Sequence, residues 1–517
     1  MMELKVFNNT ITAYGGRWET RLELPVETEI LIPDYLPAVF KIVKCLIEPV
    51  VMHNDLAGAR WQGDGYLRCT VYYQSDENGA RLWRTEQKFS FEKSVELPAG
   101  RYAPGPARLW GEVEYCNCRA VSEHRIDLRG AYTLCVAALQ LEERDLLTSL
   151  ADCGIEQRAQ TLCGVTPVAA VEKSCTAETT FPLPGTGEAI LDIGGCYLSQ
   201  SCTVQTGQVS CQGILRMEAV YRPEGAEELA VRQKELPVRQ TVEMDGATEG
   251  DMCCCWGEVL GATLAAADNP NDEPMLTVTW KLHAETWRAV EYTAVADAYS
   301  TLCDTQVTVE PCRLLQKAAD LDTTIPVSVE DALPDPEGTV RGCFVTLGGG
   351  QTVQGEENPA AVRLSGRGVA HVLFADARGE MTCYDKPFTW QLPDAWSGQA
   401  ADFVVHAGVS VLRVSSSRSG DRMRVEAELA IHGQLLYVQS REVVQTVELG
   451  EEFPDKGDGP ALYLYYAQPG ERIFDIAKRY HARAKDLTAA NNLTASGDAA
   501  GQETTTQAAC LLIPAAL

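Results

Sequence analysis

Basic side chains are scarce in this sequence. Its 517 residues contain 44 lysines and arginines against 72 aspartates and glutamates, and the formal net charge is −28. Proteins that bind nucleic acid or anionic lipid concentrate positive charge on the binding surface. The charge balance therefore argues against both kinds of partner, and we expect no nucleic-acid partner.

Long apolar runs are also missing. No stretch approaches the roughly 20 apolar residues that a membrane-spanning helix needs, so we expect no membrane span. The first ten residues, MMELKVFNNT, lack the basic start and the apolar run of a secretory signal. We therefore expect a protein that is made and kept in the cytoplasm.

The usual signatures of catalysis do not occur. The seven histidines are dispersed and form no HExxH motif, and the sequence contains neither a P-loop nor a G-x-S-x-G turn. Active sites need matched groups with perturbed pKa values, and no such set stands out. We expect no enzyme, no catalytic residue and no cofactor. An enzyme whose active site shows no sequence signature is the weakest of three functional hypotheses.

Cysteine is plentiful but scattered. Of the 19 cysteines, only those at 116–118 (Cys-Asn-Cys) and 253–255 (Cys-Cys-Cys) form tight clusters. Neither cluster has a second CxxC or a spaced histidine pair that would complete four metal ligands. In the cytoplasm we expect reduced thiols, many of them small core residues, and no metal site.

One strand pattern occurs three times, at 65–73, 213–221 and 366–374. Each copy opens on glycine and closes on an aromatic residue, and the copies begin 148 and 153 residues apart. The apolar residues that alternate along them are Leu67, Cys69, Val71 and Tyr73, then Leu215, Met217, Ala219 and Tyr221, then Ala370, Val372 and Phe374. This period of two predicts strands with one face on a core and the other in water.

Turns and further strands follow each copy. Glycine-containing segments at 76–79, 223–225 and 376–379 predict hairpin turns. Short strands at this density predict an antiparallel sandwich or open barrel of about 100 residues per repeat. The intervening segments 141–185 and 296–335 carry mixed helical and extended patterns, and we interpret them as connectors.

The last part of the chain differs in composition. Residues 448–460 are rich in proline, glycine and acid, which is typical of a linker. Residues 461–517 are neutral, so the whole net charge lies in residues 1–460. The pattern here predicts a β-α-α-β unit. Its elements are a strand at 462–467, a first helix with one face formed by Ile473, Ile476, Ala477 and Tyr480, a second helix ending at 491–492, and an apolar strand closed by Pro514.

These patterns predict a mainly β, multidomain chain. We expect three repeated antiparallel β-sandwich or barrel-like domains and a small β-α-α-β domain at the C-terminal end. The predicted boundaries are 1–145 for an N-terminal arm and the first β-domain, 146–295 and 296–447 for a connector with the second and third, 448–460 for the linker and 461–517 for the small domain.

The C-terminal unit resembles a LysM module. The resemblance is carried by 466–480 (YAQPGERIFDIAKRY), 487–493 (LTAANNL) and 512–514 (LIP). It implies binding of N-acetylglucosamine-containing glycans through the loop that opens the first helix and the loop that follows the second. The corresponding residues are Gly470, Glu471, Arg472 and Ile473 in the first loop, and Asn491, Asn492 and Leu493 in the second.

Both loops depart from the family pattern. Where LysM modules usually have Gly-Asp followed by Thr or Ser and Leu, this chain has 470–473 (GERI), which removes a short side chain that would cap the helix. The segment 494–509 is longer than usual. These departures favour Arg472 and Asn492 as binding residues, whereas Ile473 and Tyr480 lie on the predicted core face.

The acidic part resembles a second family. Segment 29–43 (EILIPDYLPAVFKIV) is similar to the start of a SPOCS-type domain, and 297–300 (DAYS) is similar to another stretch of that family. SPOCS repeats followed by one LysM module are the arrangement of SipL-like spore morphogenetic proteins. The resemblance implies work in the mother-cell cytoplasm, at the forespore surface, where the LysM module binds the ATPase of the coat's basement layer.

Two functional hypotheses therefore lead. The first is a non-enzymatic spore-coat scaffold whose LysM module docks onto the basement-layer ATPase. The second is a peptidoglycan-binding or other N-acetylglucosamine-binding protein. We favour the first, because the altered loops do not suggest a dedicated sugar site.

Overall fold

The chain folds into antiparallel β-sheets, with two short helices near its C-terminal end. A computed structural model describes residues 3–75, 81–183, 189–223, 229–265, 273–333, 335–355, 361–454, 462–493 and 509–514. The mainly β class is confirmed. Within these ranges, neither helix has the length and apolar composition needed to cross a bilayer.

A first group of strands spans residues 5–151. Its strands are β1 (Lys5–Leu31), β2 (Lys41–Ala57), β3 (Arg60–Gln74), β4 (Leu82–Glu96), β5 (Arg101–Tyr102), β6 (Arg108–Ser122) and β7 (Arg125–Ala151). The long first strand β1 pairs with the long last strand β7, and β7 also pairs with β6 and β5. Strands β2, β3 and β4 form a separate meander.

The second and third groups span residues 155–300 and 303–452. The second contains β8 (Ile155–Thr180), β9 (Ala189–Gln205), β10 (Gln208–Arg222), β11 (Ala230–Glu243), β12 (Met252–Ala265) and β13 (Met275–Ser300). The third contains β14 (Cys303–Ala332), β15 (Thr339–Gly355), β16 (Ala361–Ala375), β17 (Met381–Gln391), β18 (Trp396–Ser397), a 3₁₀ turn (Ala400–Asp402), β19 (Phe403–Ser419) and β20 (Arg422–Glu452). In both groups the first strand pairs with the last, the last pairs with the penultimate long strand, and three strands between them form a meander.

Each group buries a core between its two sheets. The alternating apolar residues of β3, β10 and β16 are all buried, and every one of them is at most 3% exposed. Those of β3 lie in the core of the first group, and Leu215, Met217 and Ala219 of β10 lie in that of the second. Ala370, Val372 and Phe374 of β16 lie in a further apolar cluster of the third group, with Met423 and Val425. The predicted core faces are therefore confirmed. The predicted hairpin turn at 376–379 is confirmed as well, since the Gly379 amide donates to the Asp376 carbonyl at 2.9 Å. The turn predicted at 76–79 and most of that at 223–225 lie outside the described residues.

The opposite face of two of these strands was predicted to lie in water, and this prediction is wrong at their ends. Tyr72 on β3 and Leu373 on β16 are only 5% and 4% exposed. They share one apolar cluster, because the meanders of the first and third groups pack against each other. An ion pair between Lys44 and Asp385 joins the same two meanders.

The six long strands extend beyond the three cores and meet in a shared core. This shared core contains Ile11, Ala13 and Leu146 from the first group, Leu162 and Ala294 from the second, and Cys312, Leu314 and Val443 from the third. The helical component predicted for 141–185 and 296–335 is wrong, because the described residues of both segments are mostly long strands. The three groups are thus held together by the segments that looked like connectors.

Some predicted boundaries fall inside strands. Residues 145, 295 and 447 lie within β7, β13 and β20, while the groups meet at the turns around 152–154 and 301–302. The predicted linker is wrong at its start, because residues 448–452 continue β20. Residues 455–460 lie outside the described part of the chain.

One pair of cysteines departs from the expectation of reduced thiols. Cys202 on β9 and Cys253 on β12 form a disulfide, with their Cα atoms 6.2 Å apart. The other described cysteines are free, and about half of them are buried. The Cys253–Cys255 cluster thus contributes one half of a bridge between the two sheets of the second group.

The shared core yields a test. Leu146 is 1% exposed, and replacing it with alanine should lower the free energy of unfolding by about 2–5 kcal/mol, because it leaves a cavity that three groups border. Leu31 lies on β1 but is 64% exposed, so Leu31→Ala should have little effect. Urea unfolding followed by circular dichroism measures both. Equal effects of the two substitutions would contradict a shared stabilising core.

Candidate functional site

The C-terminal unit consists of two strands and two helices. Strands β21 (Leu462–Ala467) and β22 (Ala509–Pro514) pair in antiparallel fashion, and helices α1 (Ile473–Arg479) and α2 (Ala484–Ala490) lie between them in sequence. Of the predicted helix face, Ile473, Ile476 and Ala477 are at most 2% exposed, and Tyr480 is half-buried. They pack with Leu487, Leu511 and Ile513.

In the loop before α1, the Glu471 carboxylate is hydrogen-bonded to other residues of the same unit. Gly470 adopts a left-handed backbone (φ +87°), which suits glycine at this turn. The Glu471 carboxylate accepts hydrogen bonds from the Gln468 amide at 2.8 Å and from the Tyr465 hydroxyl at 2.9 Å. These bonds, that of Gln468 first, lower the pKa of Glu471. Glu471 therefore stabilises the loop itself.

Of the two residues at the start of α1, Arg472 is exposed and Ile473 is buried. Arg472 occupies the N-cap position of α1, makes no side-chain capping hydrogen bond and is exposed. Ile473 is 2% exposed and belongs to the core. Of these two predicted binding residues, only Arg472 offers its side chain to a partner.

The loop after α2 is tied to the strands. The Asn491 side-chain amide donates to the carbonyls of Leu487 at 2.9 Å and Leu512 at 2.7 Å, and its oxygen accepts from the Leu512 amide at 2.6 Å. Asn492 is exposed with a left-handed backbone (φ +51°), and Leu493 packs against the core. Asn491 and Leu493 therefore hold the unit together, and Asn492 remains accessible. The predicted long segment 494–509 lies almost wholly outside the described residues.

An exposed apolar strip covers the outer face of the two-stranded sheet. Leu462, Leu464 and Tyr466 on β21 are 49%, 62% and 73% exposed, and Leu512 on β22 is 39% exposed. Leu464 lies directly opposite Leu512 in the pairing register, so these side chains are contiguous. We call these four residues the apolar strip. Sequence reasoning placed binding residues on the loop edges and missed the strip, although the alternating LYLYY sequence makes both faces of β21 apolar.

The unit is anchored to the β-groups through the end of β13. Tyr299 is 2% exposed, lies in the core of the C-terminal unit and donates its hydroxyl proton to the Ala482 carbonyl at 2.7 Å. Its ring meets that of Phe474 at 5.1 Å, edge to face. The Lys478 ammonium pairs with the Asp297 carboxylate at 2.6 Å. The segment 297–300, whose sequence is similar to a stretch of SPOCS-type domains, thus anchors this unit.

A second feature is a cavity of about 390 Å³ between the three groups. Trp110 of the first group, Trp256 of the second and Val409 of the third are among the residues that line it. Ionisable side chains from β8, β12 and β13 also reach it. Such a concave, partly polar space is what an active site would require, and the pairing of its charged side chains decides whether it contains a free acid or base.

The charges in the cavity compensate one another. His283 lies between two carboxylates, 3.2 Å from Glu172 and 3.8 Å from Glu258. The ammonium of Lys281, which is 2% exposed, lies 3.3 Å from Glu172. Asn54 of the first group donates to Glu172 of the second at 2.8 Å, so the network also joins two groups.

This network fixes the protonation of His283. Burial alone would lower the pKa of His283, but the hydrogen bonds and charges of Glu172 and Glu258 raise it to about 9. Burial likewise acts to raise the pKa of Glu172, yet His283 and Lys281 lower it to about 2. At neutral pH the imidazole is therefore protonated, and it has no free electron pair with which to act as a general base.

Removing the anchor should loosen the C-terminal unit. Tyr299→Ala deletes a buried ring, so we expect the protection of residues 473–490 against amide hydrogen exchange to fall by roughly 3–5 kcal/mol. Tyr299→Phe loses only one hydrogen bond and should cost about 1 kcal/mol. Hydrogen exchange with mass spectrometry measures both. Unchanged exchange in Tyr299→Ala would show that this contact does not hold the unit.

The cavity network should make stability depend on pH. The pKa of His283 is raised on folding, so its contribution is complete below about pH 6.5 and is lost as pH rises through about 9. Thermal unfolding should therefore show a falling midpoint over that range, worth at most about 3 kcal/mol. His283→Gln should flatten this part of the profile, whereas His53→Gln, which alters a histidine that is 78% exposed, should leave it intact. An identical profile in all three proteins would contradict the charge assignment.

Comparison with known proteins assigns part of the chain. Residues 188–264 match the family model described as SipL, SPOCS domain. The matched segment covers β9 to β12 of the second group and includes the 213–221 pattern. Searches of curated proteins and of solved structures returned no match. The matched segment is similar to a SPOCS domain of the SipL type, and this similarity associates the chain with sporulation.

Proposed function

We propose that this chain is a non-enzymatic scaffold of the spore envelope or coat, whose C-terminal unit docks onto a protein of the coat's basement layer. The observation that carries the docking is the exposed apolar strip on a unit that Tyr299 anchors to the rest of the chain. The association with sporulation is supported by the SPOCS match. The chain then acts in the mother-cell cytoplasm, at the forespore surface.

The domain reading is part of this proposal. Three SPOCS-type domains correspond to the three strand groups, since all three have the same strand order and the match falls in one of them. The C-terminal unit is a LysM-type domain, supported by its β-α-α-β order and its single small core. The scaffold thus carries one docking unit on three joined β-domains.

A protein partner fits the unit better than a sugar. Sugar sites need polar groups that are free to bind hydroxyls. The polar side chains of Glu471 and Asn491 instead bind backbone groups of their own unit. The apolar strip offers what protein interfaces use, namely contiguous apolar side chains with an aromatic residue among them. The partner we propose is the basement-layer morphogenetic ATPase.

A glycan remains the second candidate for one reason. The ring of Tyr466 is 73% exposed at the end of β21, close in sequence to the first loop, and exposed aromatic rings also pack against sugars. Pull-down of the full chain on insoluble peptidoglycan decides between the two. Retention that Arg472→Glu or Asn492→Ala abolishes would favour the glycan.

Enzymatic activity is not part of the proposal. The cavity between the groups contains a protonated histidine and a buried lysine, each paired with carboxylates. Removing one partner would leave an uncompensated buried charge, which is strongly destabilising. A structural role in joining the groups is therefore enough to account for these charged residues.

The apolar strip supplies the direct test. Leu464 is 62% exposed, so Leu464→Glu should leave folding intact and weaken binding to the ATPase at least tenfold, because a charge then enters an apolar interface. Lys485→Glu also adds negative charge, at an exposed position on α2, and serves as the matched control. Co-purification from sporulating cells, with affinity measured on purified proteins, gives the readout.

Equal binding by both variants and the unaltered chain would reject the strip as the docking surface. Arg472→Glu then tests the loop edge. A selective loss of binding in that variant, with the unit still folded, would move the interface from the strip to the first loop.

A further inference from the structure

Three free cysteines that are distant in sequence meet in the first group. Cys45 lies on β2, and Cys116 and Cys118 lie on the same face of β6. Their sulfur atoms all lie within 4.8 Å of one another. The three side chains are half-buried, and they pack at the border of the core of this group. The sequence showed only the pair at 116–118, because the third thiol comes from the other sheet.

A close approach of the two sheets brings these thiols together. Gly130 lies opposite Cys116 in the pairing of β6 with β7. A Cβ atom at Gly130 would come within 2.4 Å of the Ile47 side chain, two residues after Cys45. Glycine therefore lets β2 lie against β6 and β7 at this point.

We propose that Cys45, Cys116 and Cys118 bind one Zn²⁺ ion through three thiolates. Three points no more than 4.8 Å apart fit within a circle of radius about 2.8 Å, so shifts of about 0.5 Å bring each sulfur to the usual Zn–S distance of roughly 2.3 Å. Each bound thiol releases one proton to solvent, so the ion and its three ligands carry a net charge of −1. The three cysteines are half-buried, and a water molecule would complete the usual four ligands of the ion.

The surroundings favour such a site. The structure keeps these three cysteines free, although it contains a disulfide between Cys202 and Cys253. Soft thiolate ligands select Zn²⁺ and Cu⁺ over harder cations.

Two other clusters in the described residues suit a metal less well. Cys202, Cys211 and Cys255 also lie together, but Cys202 is already bonded to Cys253. His371, Cys383 and Asp385 form the third cluster. The Asp385 carboxylate is already paired with the Lys44 ammonium, and the two ring nitrogens of His371 are already bonded to Asp385 and to the Thr346 hydroxyl.

Zinc content and cobalt spectroscopy of the full chain test the proposal. The chain is purified under reducing conditions, its zinc is measured by mass spectrometry, and the zinc-free protein is titrated with Co²⁺. We expect one zinc per chain and a thiolate-to-cobalt charge-transfer band that saturates at one equivalent. Cys116→Ser should lower zinc affinity by about 100-fold or more, since a thiolate ligand is lost. Cys163→Ser, at an exposed free cysteine on β8, should leave the stoichiometry unchanged.

If Cys116→Ser does not fold, the proposal can still be tested by cysteine alkylation of the unaltered chain. Alkylation with iodoacetamide, mapped by mass spectrometry with and without added Zn²⁺, should show at least tenfold protection of Cys45, Cys116 and Cys118, and none of Cys163. Absence of stoichiometric zinc, absence of the charge-transfer band, or equal alkylation with and without Zn²⁺ would overturn the proposal. A disulfide among the three thiols in the protein isolated under reducing conditions would do the same.

Discussion

The apolar core shared by the ends of the six long strands is the contact on which the rest of the molecule depends. Each β-group has its own core, and the extensions of its first and last strands bury further apolar side chains. They do so by packing against the extensions of the other two groups, which burial of apolar surface strongly favours. This shared core also fixes the cavity between the groups and the end of β13, from which the C-terminal unit is held.

The C-terminal unit has one side that packs against the β-groups and another side that is exposed. Ala298 lies in an apolar cluster with Leu147, Leu150 and Val444, and the next residue, Tyr299, lies in the core of the C-terminal unit. Two consecutive residues of one strand therefore connect two cores. The helix side of the unit faces the β-groups through Phe474 and Lys478, and the apolar strip lies on the outer face of its sheet. One fixed face and one exposed apolar face suit the proposed role of this unit in recruiting another protein.

The sequence predicted the class, the core faces of the repeated strands and the order of elements in the C-terminal unit, because periods of 2 and 3.6 residues are visible in a single chain. The sequence-based prediction failed for segments whose side chains are buried by more than one of the three groups. Residues 139–151 (LQLEERDLLTSLA) have leucines at helical spacings, yet they form a strand because neighbouring groups cover both faces. The apolar strip was missed because leucines and tyrosines alternate along β21, so both of its faces are apolar in the sequence. Cys45 was missed because Cys116 and Cys118 lie on another sheet. Of the loop residues taken from the family resemblance, Glu471, Ile473, Asn491 and Leu493 serve the fold, while Arg472 and Asn492 stay exposed.

Hydrogen exchange of the full chain, alone and bound to the basement-layer ATPase, tests the central claim most directly. If the apolar strip is the docking surface, binding should protect the amides of 462–467 and 509–514 and leave those of the three β-groups unchanged. Protection confined to the β-groups, or to the loops at 470–473 and 491–493 without the strands, would contradict the account.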